Sequence, residues 1–231
     1  MKKKQLFILV AALSLIAAGC TKTSEGVTRI TYYPVLTLEG DQYVTMETGS
    51  SFSEPGYSAI MNGEDVTDQV EVTSNLDSST PGMYKVNYSI VNEDGIAATA
   101  SRYVIVAAAG DEIPGTYTTD PNSYRDNGSV QAKMGGAYQV IIYPNGKPNE
   151  YVVSDLLGGW YGQRAGYGSN YELVGTIQAK DGVVTLLGSH LIGWDDAALG
   201  FSNGTYGDGT IHWDVVYAKD TWTFSITIVK N

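Results

Sequence analysis

The chain has 231 residues, 43% of them apolar and only 17% charged, against about 25% charged in an ordinary soluble domain. That supplies apolar material for one or two cores and excludes a disordered chain. A net charge of −11 argues against a nucleic-acid partner, which needs a basic face to displace counterions. A single Cys excludes an internal disulfide and a Cys-rich zinc site.

Met1-Lys2-Lys3-Lys4 is a positively charged start, and Leu6 to Ala18 is an apolar run of 13 residues interrupted only by Ser14. Spanning a bilayer takes about 20 such residues, so the run reads as the core of a secretory signal covering residues 1–19. Its ending, Leu15-Ile16-Ala17-Ala18-Gly19-Cys20, resembles a bacterial lipobox. The resemblance implies that Cys20 becomes the lipidated first residue of the mature protein and that residues 20–29 are a tether. Removal of residues 1–19 takes three Lys and leaves 11 basic against 25 acidic side chains. Attachment to a membrane would therefore run through the acyl chains, at about 0.8 kcal/mol per buried CH₂, rather than through the protein surface. By the same analogy, Thr21 after the Cys is compatible with the outer membrane. Glu25 is the one acidic residue near it that could favour display on the cell surface.

From Thr28 onward no window holds the 3.6-residue apolar period, whereas short alternating runs broken by Gly, Asn, Asp and Pro recur. Runs at 35–38, 43–46, 57–61 and 69–73 precede Tyr84, Val86, Tyr88 and Ile90, which share one face of a strand. Asn92-Glu93-Asp94-Gly95 turns the chain, and 96–106 returns as the partner strand. Strands so spaced over residues 30–107 suit an immunoglobulin-like sandwich. Gly40, Glu54-Pro55-Gly56-Tyr57-Ser58-Ala59, Asp65-Val66-Thr67 and Pro81-Gly82-Met83-Tyr84-Lys85-Val86-Asn87-Tyr88 resemble a bacterial Ig-like domain. Such modules serve as spacers, and the resemblance implies that role here.

Ala107-Ala108-Ala109-Gly110-Asp111 breaks the alternation and marks a linker. Residues 110–231 hold all four Trp, 10 of 17 Tyr and 19 of 27 Gly. Strands are expected near 137–143, 150–154, 171–179, 182–188, 210–217 and 222–229. Lys180-Asp181-Gly182 and Ala218-Lys219-Asp220-Thr221 would form hairpin connections. The reading is an all-β chain: an N-terminal Ig-like β-sandwich, then a second antiparallel β-sandwich or small β-barrel over 112–231. The pairing of modules, with Gly158-Gly159-Trp160-Tyr161 after Ser154-Asp155-Leu156-Leu157 and the closing Thr210-Ile211-His212-Trp213, resembles Bacteroides-type lipoproteins of polysaccharide-utilisation loci. Their C-terminal domain has no assigned activity.

Of the enzyme signatures, His-Glu-x-x-His and a phosphate-binding Gly loop are missing. His190 and His212 are too few for a multi-His metal site and read as surface residues. A glycosidase needs two carboxylates about 5–9.5 Å apart. Asp155, Glu172, Asp195, Asp196, Asp208 and Asp214 are available, but their spacing selects no pair. Asp120-Pro121-Asn122-Ser123-Tyr124-Arg125-Asp126 alternates oxygens as a Ca²⁺ loop would, yet Tyr124 and Arg125 interrupt the series and the turn Gly is missing. No metal and no cofactor are expected.

Aromatics in loops are the better signal, because sugars stack their C–H faces on rings that burial has not used. Trp213 and Trp222 lie in apolar alternations and read as core. Trp160, Tyr161, Arg164 and Tyr167 share a Gly-rich loop, and Trp194 stands beside Asp195 and Asp196. Either these residues cap the ends of the β domain or they contact a ligand. The functional expectation is a non-catalytic, lipid-anchored envelope protein holding a polysaccharide or oligosaccharide for a neighbouring uptake system. The alternatives are a structural or protein-interaction subunit of an outer-membrane transporter complex and, third, a glycoside hydrolase.

Overall fold

Alternation along Gly82–Val91 sets the pattern of the whole fold: Val86, Tyr88 and Ile90 are buried while the residues between them face outward. In the computed structural model, residues 30–218 and 222–231 are described. The signal, the tether, lipidation at Cys20 and the expected turn residues Lys219-Asp220-Thr221 lie outside them. No helix among the described residues is long and apolar enough to cross a membrane.

The first module has seven strands: β1 (Val35–Leu38), β2 (Tyr43–Glu47), β3 (Tyr57–Met61), β4 (Glu64–Asp65), β5 (Glu71–Ser74), β6 (Gly82–Val91) and β7 (Ala97–Ala107). They form two sheets, β1-β3-β4 and β2-β7-β6-β5, antiparallel except for the β2–β7 pair. Tyr88, Val86, Val104 and Val106 pack between them with Leu36, Leu38 and Tyr57. The Ig-like sandwich read from spacing is the observed fold. Arg102, fully buried, was not anticipated. Its guanidinium donates to the carbonyls of Glu39 (2.8 Å), Gly56 (2.9 Å) and Asp41, and pairs with Glu54 at 3.1 Å. The Glu54-Pro55-Gly56 motif thus supplies acceptors for a buried cation.

Ten strands follow: β8 (Gly115–Thr119), β9 (Tyr124–Asp126), β10 (Gln131–Lys133), β11 (Gln139–Pro144), β12 (Glu150–Val153), β13 (Val174–Lys180), β14 (Val183–His190), β15 (Gly200–Gly207), β16 (Thr210–Tyr217) and β17 (Trp222–Lys230). Strands β8 and β11 to β17 form a ring, each antiparallel to its neighbours, sealed where Ile228–Lys230 of β17 pairs with Tyr117–Thr119 of β8. Of the two expected architectures, the second module is the closed barrel. The other half of β17 pairs with β9, which carries β10 as a hairpin.

Inward residues of β16 and β17, among them Trp213, Val215, Phe224, Ile226 and Ile228, fill the barrel. Each such side chain contributes about 1.5–3 kcal/mol of burial. His212 and Asp214 point the other way, His212 sharing a hydrogen bond with Thr227 Oγ1 at 3.0 Å.

Strands β8, β9, β10 and β15 were not expected from sequence. In β15 the reason is visible: a bulge shifts its register between Ser202 and Thr205. A Cβ on Gly204 would stand 2.1 Å from the Val184 carbonyl oxygen, so glycine is what lets β15 approach β14. The segment 120–126, weighed above as a Ca²⁺ loop, is a turn in which Asp120 accepts the Asn122 N–H at 2.7 Å, followed by β9.

Ala108–Glu112 connects the modules and is held by side chains. Tyr151 donates its hydroxyl to the Asp111 carboxylate, Tyr117 to the Ile113 carbonyl at 2.6 Å, and Lys230 to the Glu112 carbonyl. A cavity of about 1000 Å³ lies beside these contacts, lined by residues of both modules including Pro81, Tyr206 and Asp208.

Candidate functional site

In an up-and-down ring, the connections β12–β13, β14–β15 and β16–β17 emerge at the same rim. The first two are long, residues 154–173 and 191–199, and carry the aromatics singled out above.

Asp155 organises the first of them. Its carboxylate is fully buried and accepts three backbone N–H groups: Leu157 and Leu173 on Oδ1 (2.9 and 3.0 Å) and Gly159 on Oδ2 (2.9 Å). One side chain thereby ties the start of the loop to its end. Burial pushes its pKa up to about 7, the three N–H bonds oppose that, and the nearby Glu172 charge adds to it. Glu172 is itself raised by burial. The loop then makes a short π-helical turn at Trp160–Arg164 and a 3-10 turn at Ser169–Tyr171. Gln163 brackets Gln139 of β11 through both its amide groups, at 3.0 and 2.7 Å.

The second loop is a tight turn in which Leu191 and Asp196 exchange backbone bonds at 2.7 and 3.2 Å. It is braced to the first: Gly193 N–H donates to the Asn170 carbonyl at 2.7 Å. Rings from both loops then converge. Trp194 lies edge-on to Tyr161 (centroids 4.9 Å) and Tyr171 (5.0 Å), while Tyr161 and Tyr167 are stacked at 6.4 Å. Trp194 is 45% and Tyr167 55% exposed, so the cluster presents ring surface to solvent. Tyr217, the last residue of β16, lies below it, 6.4 Å from Trp194 and 6.2 Å from Tyr161. The Tyr217 hydroxyl is buried with no hydrogen-bond partner among the described residues, and its pKa rises to about 12 through burial.

Of the residues read from sequence, Tyr161, Tyr167 and Trp194 come together. Trp160 does not join them. Only 3% exposed, it turns under the barrel end against Phe224, with the guanidinium groups of Arg164 and Arg125 over its ring at 4.3 and 4.7 Å. Trp160 belongs to the core because the loop's anchor at Asp155 folds the chain back over Phe224. Arg164 is exposed and donates Nε–H to the Met134 carbonyl at 3.0 Å.

Asp195 has a 94% exposed side chain, with His190 Nε2 at 3.8 Å. Asp196 is exposed and accepts the Ala197 N–H at 2.7 Å. Trp222, read as core, is half-buried under Arg125, whose guanidinium carbon stands 3.7 Å from its ring. Sequence reasoning passed over Tyr171 and Tyr217, and only their place at strand and loop ends brings them to the rim.

An Ig-like sandwich followed by a closed barrel with an aromatic rim defines a two-module, all-β protein. The family model for the bacterial surface protein Ig-like domain matches residues 36–106, and a second, for a C-terminal domain, matches residues 107–230. The crystal structure of the lipoprotein BT2262 from Bacteroides thetaiotaomicron is similar with a TM-score of 0.78 and 37% identity, covering 86% of this chain and all of that one. The chain belongs to the family of that lipoprotein.

Two structures of ZmpB from Clostridium perfringens are far less similar. One holds CBM51-2 in complex with GlcNAc and INT domains (TM-score 0.29, 14% identity, 85% of this chain and 43% of that one). The other holds the M60 catalytic domain with CBM51-1 and CBM51-2 (TM-score 0.30, 16% identity, 87% and 21%). Superpositions that poor carry no argument about fold or ligand. No curated protein matches the sequence.

Proposed function

We propose that this protein is a non-catalytic component of the bacterial envelope, anchored to the outer membrane by lipid at Cys20, whose barrel rim holds a glycan for a neighbouring uptake system. The observation that carries the reading is the cross-braced cluster of Trp194, Tyr161, Tyr167 and Tyr171, with two of its rings half exposed. Stacking on such a surface suits the C–H face of a sugar. Asp195 and Asp196 stand beside the rings as acceptors for sugar hydroxyls. The non-catalytic part of the reading is supported by Asp155, whose carboxylate is occupied by three backbone N–H groups. The anchor is supported by the signal read at residues 1–19 ahead of Cys20 and by the lipoprotein relative.

The test is binding to a panel of polysaccharides by the native chain and by Trp194→Ala and Tyr167→Ala. Loss of binding in both variants, with melting behaviour retained, is expected. Unchanged binding in both removes the site, and no binding to any glycan removes the function.

A second reading, as a protein-interaction subunit of an outer-membrane transporter complex, is favoured by the β14–β15 seam. Only Val183 and Thr205 pair across it, and Val183, Leu187 and Leu199 are exposed near it. It predicts partners recovered from detergent-solubilised envelopes and no affinity for free sugars.

A further inference from the structure

Next to the aromatic rim lie two guanidinium groups, Arg164 and Arg125, without counter-charges among the described residues. Arg164 and Arg125 both stand over the Trp160 ring, and Arg125 also lies over Trp222. Among the described residues neither forms an ion pair. Their hydrogen bonding is equally sparse. Arg164 uses Nε–H on the Met134 carbonyl, and the buried Nε of Arg125 has no acceptor. In a chain with 25 acidic against 14 basic side chains, a carboxylate partner would have been the easy outcome.

Stacking occupies the faces of a guanidinium and holds its plane, so its remaining edge donors are pre-oriented for a planar or tetrahedral anion. Arg164 adjoins the rim through its own loop, which also carries Tyr161 and Tyr167, and beneath it the buried Phe224 touches both Trp160 (5.6 Å) and Tyr161 (6.1 Å).

We infer that the rim selects glycans bearing anionic oxygens, a uronate carboxylate or a sulfate ester, which Arg164 and Arg125 receive while the sugar ring stacks on the neighbouring aromatics. The inference rests on the glycan-binding reading above and narrows it to a charged class. Neutral hydroxyls are served by Asp195, Asp196 and backbone groups. A guanidinium adds charge-assisted, fork-shaped hydrogen bonds that only an anion repays. Local cations are also what a chain of this net charge needs to admit a polyanion at all, since repulsion from more distant carboxylates is screened beyond about 8 Å at physiological salt.

The experiment is calorimetric titration of the native chain with matched polymers: a polyuronate and its carboxyl-reduced form, and a sulfated glycan and its desulfated form. The anionic member of at least one pair should bind about tenfold or more tightly than its neutral partner, as one charge-assisted contact implies. Which pair shows the difference identifies the anion. Arg164→Gln should bring that ratio towards one, and Arg164→Lys, which keeps the charge but not the fork, should restore part of it. Arg164 is exposed, and unchanged thermal unfolding is expected of both variants. Equal binding of charged and neutral partners overturns the inference, as does a ratio unchanged in Arg164→Gln. Binding of neutral polymers alone overturns it while leaving the glycan reading intact, and absence of any binding overturns both.

Discussion

Trp194 and Tyr171, from two different loops, meet edge to face with ring centroids 5.0 Å apart at 67°, and Gly193 makes that contact sterically possible. A Cβ at position 193 would stand 2.6 Å from Cε1 of Tyr171, in mid-ring rather than at a movable tip. Gly193→Ala should therefore push Tyr171 off Trp194 and lower glycan affinity about tenfold, a loss equivalent to about 1.4 kcal/mol. The melting temperature should fall by only a few degrees. Titration calorimetry beside thermal unfolding separates the two effects.

The two rim-loop tryptophans should behave oppositely. Trp160 is buried against Phe224 and two guanidinium groups, so Trp160→Ala should cost about 3–5 kcal/mol of barrel stability. Trp194→Ala removes a half-exposed ring and should cost less than half as much while abolishing binding. Denaturant unfolding of both variants checks the contrast.

Asp155 gives the barrel a pH signature. Its folded pKa, about 7, lies above the ordinary carboxylate value, so the folded chain holds this proton more tightly than the unfolded chain does. Its contribution to stability is therefore fully present at acid pH and declines as pH rises from about 4 to about 7. Glu172, also raised, acts with the same sign. Asp155→Asn should be less stable throughout, because an amide sets N–H groups against one of the three backbone donors. Its stability should fall less steeply over that interval than the native chain's, as urea titrations at several pH values will show.

Tyr217 carries a buried hydroxyl with no hydrogen-bond partner among the described residues. Tyr217→Phe removes that group and keeps the ring under Trp194, so stability should hold or rise by about 1 kcal/mol. A loss of that size would mean that the hydroxyl has a partner in solution.

In the Ig-like module, Arg102→Leu would take from Glu54 its buried counter-charge and from the carbonyls of Glu39, Asp41 and Gly56 the guanidinium donor. The expected cost is about 3–5 kcal/mol. Unfolding of a fragment is unnecessary to see it, since the change should lower one transition of the full chain without moving barrel-specific fluorescence from the Trp residues, all of which lie beyond residue 110.

The strands most legible in the sequence are those with one buried face. Val86, Tyr88 and Ile90, or Trp213, Val215 and Tyr217, announce themselves by a period of two. Barrel closure was less legible, because β8 is short, with Gly and Thr among its inward residues, and β15 is bulged and Gly-rich, so two pieces of the wall lack an apolar period. The site divides along the same line. Proximity to Gly correctly marked residues 160–168 and 191–196 as loops, but it could not say that Asp155 gathers the first loop and turns Trp160 inward. Ser154-Asp155 ahead of Gly158-Gly159 was the available hint, a carboxylate placed before free backbone N–H groups. The approach of Arg125 to Trp160 and Trp222 joins three remote parts of the chain, and no local pattern records it.

The seam between β8 and β17 fixes an order of events during synthesis. Every strand of the Ig-like sandwich has been made by residue 107, so that module can mature while the ribosome is still working. The barrel must wait, because its first stave is met by a segment made about a hundred residues later, Trp222–Lys230. Until then over a hundred residues of aromatic-rich sheet have no sealed interior, which is a long exposure for a nascent chain and makes β17 the stave whose loss the barrel tolerates least.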